Sequence, residues 1–162
     1  MKTQVTIVDY GRSNLLSVQR ALEHCGANVS YARNEKEVLQ ADVLVLPGVG
    51  AFDDGMRLLR ENGMAQAICE KAKKGTPLFG ICLGLQMLFE HSAEGGQEPG
   101  LGLLEGTVAP LPKYTPDGVP VRVPSMGWRA LNIQKTASPE WFVQATESTP
   151  ATPEYYFVHS YH

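Results

Sequence analysis

The apolar residues of this chain fall first in short solid runs and then at helical spacing. Residues 5–8, 43–46 and 77–81 are apolar stretches of strand length, each closed by turn-forming residues. Between the first two, Leu15, Leu16, Val18, Ala21 and Leu22 recur at helical spacing, with Asn14 placed to cap the helix and Gly26 to stop it. Residues 27–31 read as a second strand and 35–39 as a short helix. Asp53 or Asp54 is placed to cap the next helix, residues 64–74 predict another, and residues 83–91 again carry helical spacing. Strands alternating with helices argue for buried parallel strands in a sheet covered on both faces. The functional face of such a sheet lies at the carboxyl ends of its strands, where Gly11, Gly48 and Cys82 all fall.

The pattern changes after Ser92, where glycine and proline become frequent. Residues 106–111 and 119–123 predict antiparallel hairpins at the sheet edge, and residues 141–145 and 155–158 two further strands, with a loop at 146–153. The expected fold is therefore α/β: a mostly parallel sheet flanked by helices, with antiparallel strands in the C-terminal half. Its 162 residues suit one domain, 1–162. A net charge of −3 gives no reason to expect nucleic acid or an anionic membrane as partner. Cys25, Cys69 and Cys82 are odd in number with no CxxC pair, which fits a reducing compartment and neither a disulfide framework nor a zinc site. With no cleavable leader or spanning run read at the start, the expected location is cytoplasmic; no metal and no cofactor are expected.

The candidate chemistry centres on Gly80-Ile81-Cys82-Leu83-Gly84. A cysteine at a sharp strand-to-helix turn between two glycines has the form of a nucleophile elbow, whose small neighbours permit strained backbone angles and leave the side chain exposed. A helix starting just behind it favours the thiolate, the form that attacks a carbonyl. The bland alternative is a small buried hydrophobe, the usual state of a free cysteine. Attack on a carboxamide needs donors for the developing oxyanion, and backbone N–H groups serve well. Leu83 supplies one candidate, and Val49, within Pro47-Gly48-Val49-Gly50, the other; the two glycines around Val49 also allow a peptide flip that switches the donor on or off. Gln86, one helical turn past Cys82, is placed to bind a small polar substrate or simply to face solvent.

Pro47-Gly48-Val49-Gly50-Ala51-Phe52, Gly80-Ile81-Cys82-Leu83-Gly84-Leu85-Gln86 and the opening strand resemble class I glutamine amidotransferase domains with a flavodoxin-like core. Asp9-Tyr10-Gly11-x-x-Asn14-Leu15-x-Ser17, Pro124-x-Met126-Gly127-Trp128 and Tyr156-Phe157-Val158-His159-Ser160-Tyr161 narrow the resemblance to the glutaminase subunits of imidazole glycerol phosphate synthases in histidine biosynthesis. The resemblance implies that Cys82 forms a glutamyl thioester and releases ammonia. Gly48, Gly50 and Gln86 would hold glutamine, with the backbone of Ser160 and Tyr161 aligning its α-groups. Asn14, Met126, Trp128 and Tyr156 would face a (β/α)8-barrel cyclase in a heterodimer, which would use the ammonia to make imidazole glycerol phosphate and AICAR. Arg129 stands where the family usually carries a smaller residue, commonly Asn.

The family activates its cysteine with a His-x-Glu pair close to the C-terminus, and this sequence holds none. His24 and His91 read as surface residues, His159 as a packed strand histidine and His162 as frayed. The expectation is a C-terminally shortened chain without its base and orienting carboxylate, hydrolysing glutamine poorly. Two other readings stay open at this point: a scaffold that only binds the cyclase, and a DJ-1-type cysteine-elbow hydrolase.

Overall fold

Strands β1 (Gln4–Val8), β2 (Asn28–Ala32), β3 (Leu44–Gly48) and β4 (Leu78–Cys82) form a parallel sheet in the order β2-β1-β3-β4. They belong to a computed structural model that describes residues 2–96, 98–130 and 154–162. The chain forms two compact units, residues 1–110 with 161–162, and residues 111–160. The expected strand at 141–145 and loop at 146–153 lie outside the described residues.

Alternation along the strands sends neighbouring residues into two cores. Val5, Ile7 and Val45 pack under Leu15, Val18 and Leu22 of helix α1 (Leu15–His24). Val8, Leu44 and Leu46 point the other way, into the larger core. There they meet Val38 of α2 (Glu35–Leu39), Phe52, Met56 and Leu59 of α3 (Phe52–Glu61), and Met64 and Ile68 of α4 (Met64–Lys73). Asn14 caps α1 as expected, its side-chain oxygen accepting the Ser17 N–H. Neither Asp53 nor Asp54 caps α3. Its N-cap is Ala51, and the first N–H of the helix, that of Phe52, is met instead by the carboxylate of Glu94 at 3.0 Å.

Three further expectations need correction. Strand β4 is not buried: it is the sheet's edge among the described residues, and Phe79 is 62% exposed. The core beneath α1 reaches Ile81 but does not include Phe79. The elbow helix is also shorter than its apolar spacing suggests. It ends as α5 (Leu83–Gln86), and β5 (Phe89–Ser92) follows. The carbonyls of Met87, Leu88 and Phe89 accept from Leu101, Leu103 and Gly102 respectively, so the segment after Pro99 takes the acceptors that a longer helix would have used. Finally, β6 (Leu104–Val108) pairs with β5 in parallel and makes no antiparallel hairpin.

Antiparallel pairing appears in the second unit, where β7 (Ser125–Ala130) and β8 (Glu154–His159) run side by side in register. The expected strand at 119–123 is reduced to a single bridge between Tyr114 and Pro120. At the margin of the first unit, Pro110 and Tyr161 form an antiparallel bridge, and Ala109 and His162 exchange two N–H···O bonds of 2.8 Å. His162 is thus tied at its backbone, against the expectation of fraying.

Candidate active site

Cys82 ends β4 and caps α5, with φ 54° and ψ −118°. Among the described residues no other non-glycine has positive φ. Such a conformation costs about 1–3 kcal/mol and survives only where the surroundings impose it. Here they do. Gly80 lets the strand run against the helix, since a Cβ there would stand 2.6 Å from the Leu85 Cα. Gly84 lies against β3, and a Cβ there would overlap the Leu46 carbonyl oxygen. Leu83 and Met87 anchor the turn from within the core. The Cys82 side chain is left exposed, whereas Cys69 is half-buried and its thiol pKa is pushed up by burial.

Parallel pairing sets Gly48 directly opposite Cys82. The residues after Gly48 therefore leave the sheet beside the elbow. Leu83 carries the first N–H of α5, a position with no acceptor within the helix. The Val49 N–H is engaged elsewhere and donates to the Arg12 carbonyl at 3.2 Å. Arg12 in turn reaches Asp54 of α3 at 3.5 Å, which fastens the turn after β1 over Val49 and Gly50. Gly50, at φ 102°, has the backbone freedom that a reorienting loop requires.

Gln86 donates through Nε2 to the backbone oxygen of Tyr161 at 3.2 Å, so these two expected binding residues are brought together. Ser160 belongs to the second unit, where its carbonyl accepts the Leu111 N–H at 2.9 Å. Also in that unit, Trp128 and Tyr156 are cross-strand partners whose rings meet edge to face, 5.6 Å apart at 77°. Met126 opposes Val158 on the same face, and all four side chains are at least half exposed. Asn14 is exposed in the first unit. His24 and His91 are exposed, the latter on β5 and not on a helix.

Sequence reasoning passed over three residues. Tyr10 read as part of a turn, yet its ring is buried and its hydroxyl lies against Gly48. Arg12 acts through its carbonyl, which no side-chain motif reveals. Glu94 stands 42 residues from the N–H it caps, beyond any local capping signal. Glu94→Ala is expected to cost about 1 kcal/mol by loosening the first turn of α3, readable as a lower urea midpoint.

Residues 6–162 match the family "Glutamine amidotransferase class-I". The "Imidazole glycerol phosphate synthase subunit HisH" of Geobacillus sp. (strain WCH70) is 45% identical over 158 residues, 98% of this chain and 72% of that protein. "Imidazole glycerol phosphate synthase subunit HisH 1" of Legionella pneumophila (strain Lens) is 41% identical over 159 residues, 98% of this chain and 74% of that protein. A crystal structure of a glutamine amidotransferase superposes with a TM-score of 0.67 at 19% identity, over 96% of this chain and 70% of the other. That last likeness concerns the fold alone. The sequence matches carry further: this chain belongs to the class-I glutamine amidotransferase family and groups there with the HisH subunits.

Proposed function

We propose that this chain is the glutamine-hydrolysing subunit of imidazole glycerol phosphate synthase in histidine biosynthesis, with Cys82 as its nucleophile. The strained, exposed backbone of Cys82 at the β4–α5 turn carries the reading. The packing around Gly80, Gly84, Leu83 and Met87 holds this non-glycine residue at φ 54° and leaves its thiol exposed, the form that a nucleophile elbow takes. The thiolate adds to the carboxamide carbon of glutamine while the carbonyl pair moves onto oxygen. Collapse of that adduct expels ammonia and leaves a glutamyl thioester, which water cleaves to glutamate.

The oxyanion is met by the Leu83 N–H and by that of Val49. In the resting arrangement Val49 serves Arg12, so the Gly48–Val49 peptide must turn before the pocket is complete. Gly48, Gly50, Gln86 and the backbone of Tyr161 hold the substrate. No histidine of residues 1–162 is followed two positions on by glutamate, and the proton-transfer role is assigned to none of them.

The ammonia passes to a (β/α)8-barrel cyclase in a heterodimer. The exposed row of Met126, Trp128, Tyr156 and Val158 suits such a partner, because aromatic side chains dominate interface energetics. Trp128→Ala is expected to weaken cyclase binding by about 2 kcal/mol, roughly 30-fold in Kd, with the subunit's melting temperature unchanged. Calorimetric titration of the two subunits measures it.

A second reading is a scaffold that only steadies the cyclase. Glutamate release in the presence of cyclase and its nucleotide ligand separates the two. Cyclase turnover on glutamine supports the glutaminase. Turnover on ammonium salts alone, with no glutamate formed, supports the scaffold.

A further inference from the structure

We propose that Tyr10 is a positioning residue for the oxyanion pocket: its buried, unpartnered hydroxyl becomes the donor to the Gly48 carbonyl when the Gly48–Val49 peptide turns. The inference rests on the reading of Cys82 and Val49 given above.

Tyr10 follows directly on β1, its ring packed in the larger core at 2% exposure. Its hydroxyl is buried with no hydrogen-bond partner among the described residues. A buried hydroxyl left unpaired is costly, and a native structure retains one for a reason. The location supplies it. A Cβ on Gly48 would stand 2.5 Å from the Tyr10 hydroxyl, 2.9 Å from the Gly84 nitrogen and 2.9 Å from the Leu83 Cβ. The hydroxyl therefore occupies the space that Gly48 leaves open, between the loop that carries Val49 and the turn that carries Leu83.

Freeing the Val49 N–H from Arg12 cannot be done alone. The peptide is planar, so turning its N–H away turns the Gly48 carbonyl with it, toward the side that the N–H has left. A carbonyl brought there needs a donor. Among the described residues the buried hydroxyls without a partner are those of Tyr10 and Ser13, and the Tyr10 hydroxyl is the one that lies against Gly48. Burial and the nearby Cys82 both push the Tyr10 pKa up, so the phenol keeps its proton while the thiolate is formed. A bond made only in the turned state favours the reacting pocket over the resting one, and only such differential interactions accelerate chemistry.

The test compares two alkylating agents on wild type and Tyr10→Phe, which keeps the ring and removes the hydroxyl. Iodoacetamide reports the thiolate alone. A chloroketone analogue of glutamine places developing negative charge on its ketone oxygen in the pocket before the sulfur displaces chloride. Tyr10→Phe is expected to slow chloroketone labelling of Cys82 about tenfold relative to iodoacetamide, the worth of one hydrogen bond. Its melting temperature should equal or exceed that of wild type, because an unpaired buried polar group has been removed.

A ratio within twofold of wild type overturns the proposal. So does a fall in melting temperature with both rates reduced, which is the signature of a purely structural hydroxyl. If wild-type labelling is not blocked by glutamine, the glutaminase reading fails and Tyr10 falls with it. Blocked wild-type labelling with an unchanged ratio in Tyr10→Phe sinks the Tyr10 role alone.

Discussion

Cys82→Ala is expected to abolish labelling by a glutamine-like chloroketone, from one adduct per chain to a rate lower by at least about 10³-fold. The other two cysteines do not substitute. Cys25 is exposed at the end of α1, far along the chain from either candidate oxyanion donor, and Cys69 is half-buried with its thiol pKa raised. Glutamine in excess should protect Cys82 and leave Cys25 reactive toward iodoacetamide. Labelling is a cleaner readout than turnover, because a nucleophile and its base act as one unit and their losses do not add. Where the base step is slow, removing the cysteine changes turnover little, while the first bond-forming step still depends on it wholly. Peptide mapping after labelling identifies the modified residue, and an adduct on Cys25 or Cys69 that glutamine blocks would displace Cys82 from its role.

Gly84→Ala is expected to be the most destabilising single methyl that could be added to the elbow. The new Cβ would overlap the Leu46 carbonyl oxygen and stand 2.6 Å from the carbonyl carbon of the same residue. Both belong to the backbone of the central strand β3 and cannot step aside as a flexible side chain would. Overpacking of this kind costs about 3 kcal/mol, the upper end of the usual range. For a chain of this size that corresponds to a melting temperature lower by about 6–12 °C. Gly75 offers the contrast. Its φ of 82° strains any side chain, but a Cβ there meets nothing within 4 Å, so Gly75→Ala should cost about 1 kcal/mol. Urea unfolding of both variants measures the difference. Equal losses would mean that the elbow relaxes around the added methyl and that close approach to β3 does not dictate glycine at position 84.

What the sequence made legible was governed by short-range physics. The apolar runs of β1 and β3, the Asn14 cap and the elbow at Cys82 are local patterns, and the structure holds them where they were expected. The failures are all long-range. Leu83 to His91 has helical spacing, but residues 101–104 take the carbonyls that would have continued the helix. The α3 cap comes from Glu94, and the exposure of Phe79 follows from which strand lies at the sheet's edge. The Val49 N–H was identified as a candidate donor from its glycine neighbours. That it is held by the Arg12 carbonyl depends on tertiary contact between two loops and leaves no trace in either segment's composition.

The pairing of Ala109 with His162 and of Pro110 with Tyr161 bears on how this protein tolerates change. The chain leaves the first unit and re-enters it through adjacent, hydrogen-bonded positions, so residues 111–160 amount to an excursion whose two ends already touch. For its host, the entropy of closing such an excursion depends only weakly on its length, at about 0.6 kcal/mol per doubling. A change in the length of that excursion therefore adds little to the cost of closing it. A graft replacing the whole segment with a two-residue turn would leave the Pro110–Tyr161 bridge in place.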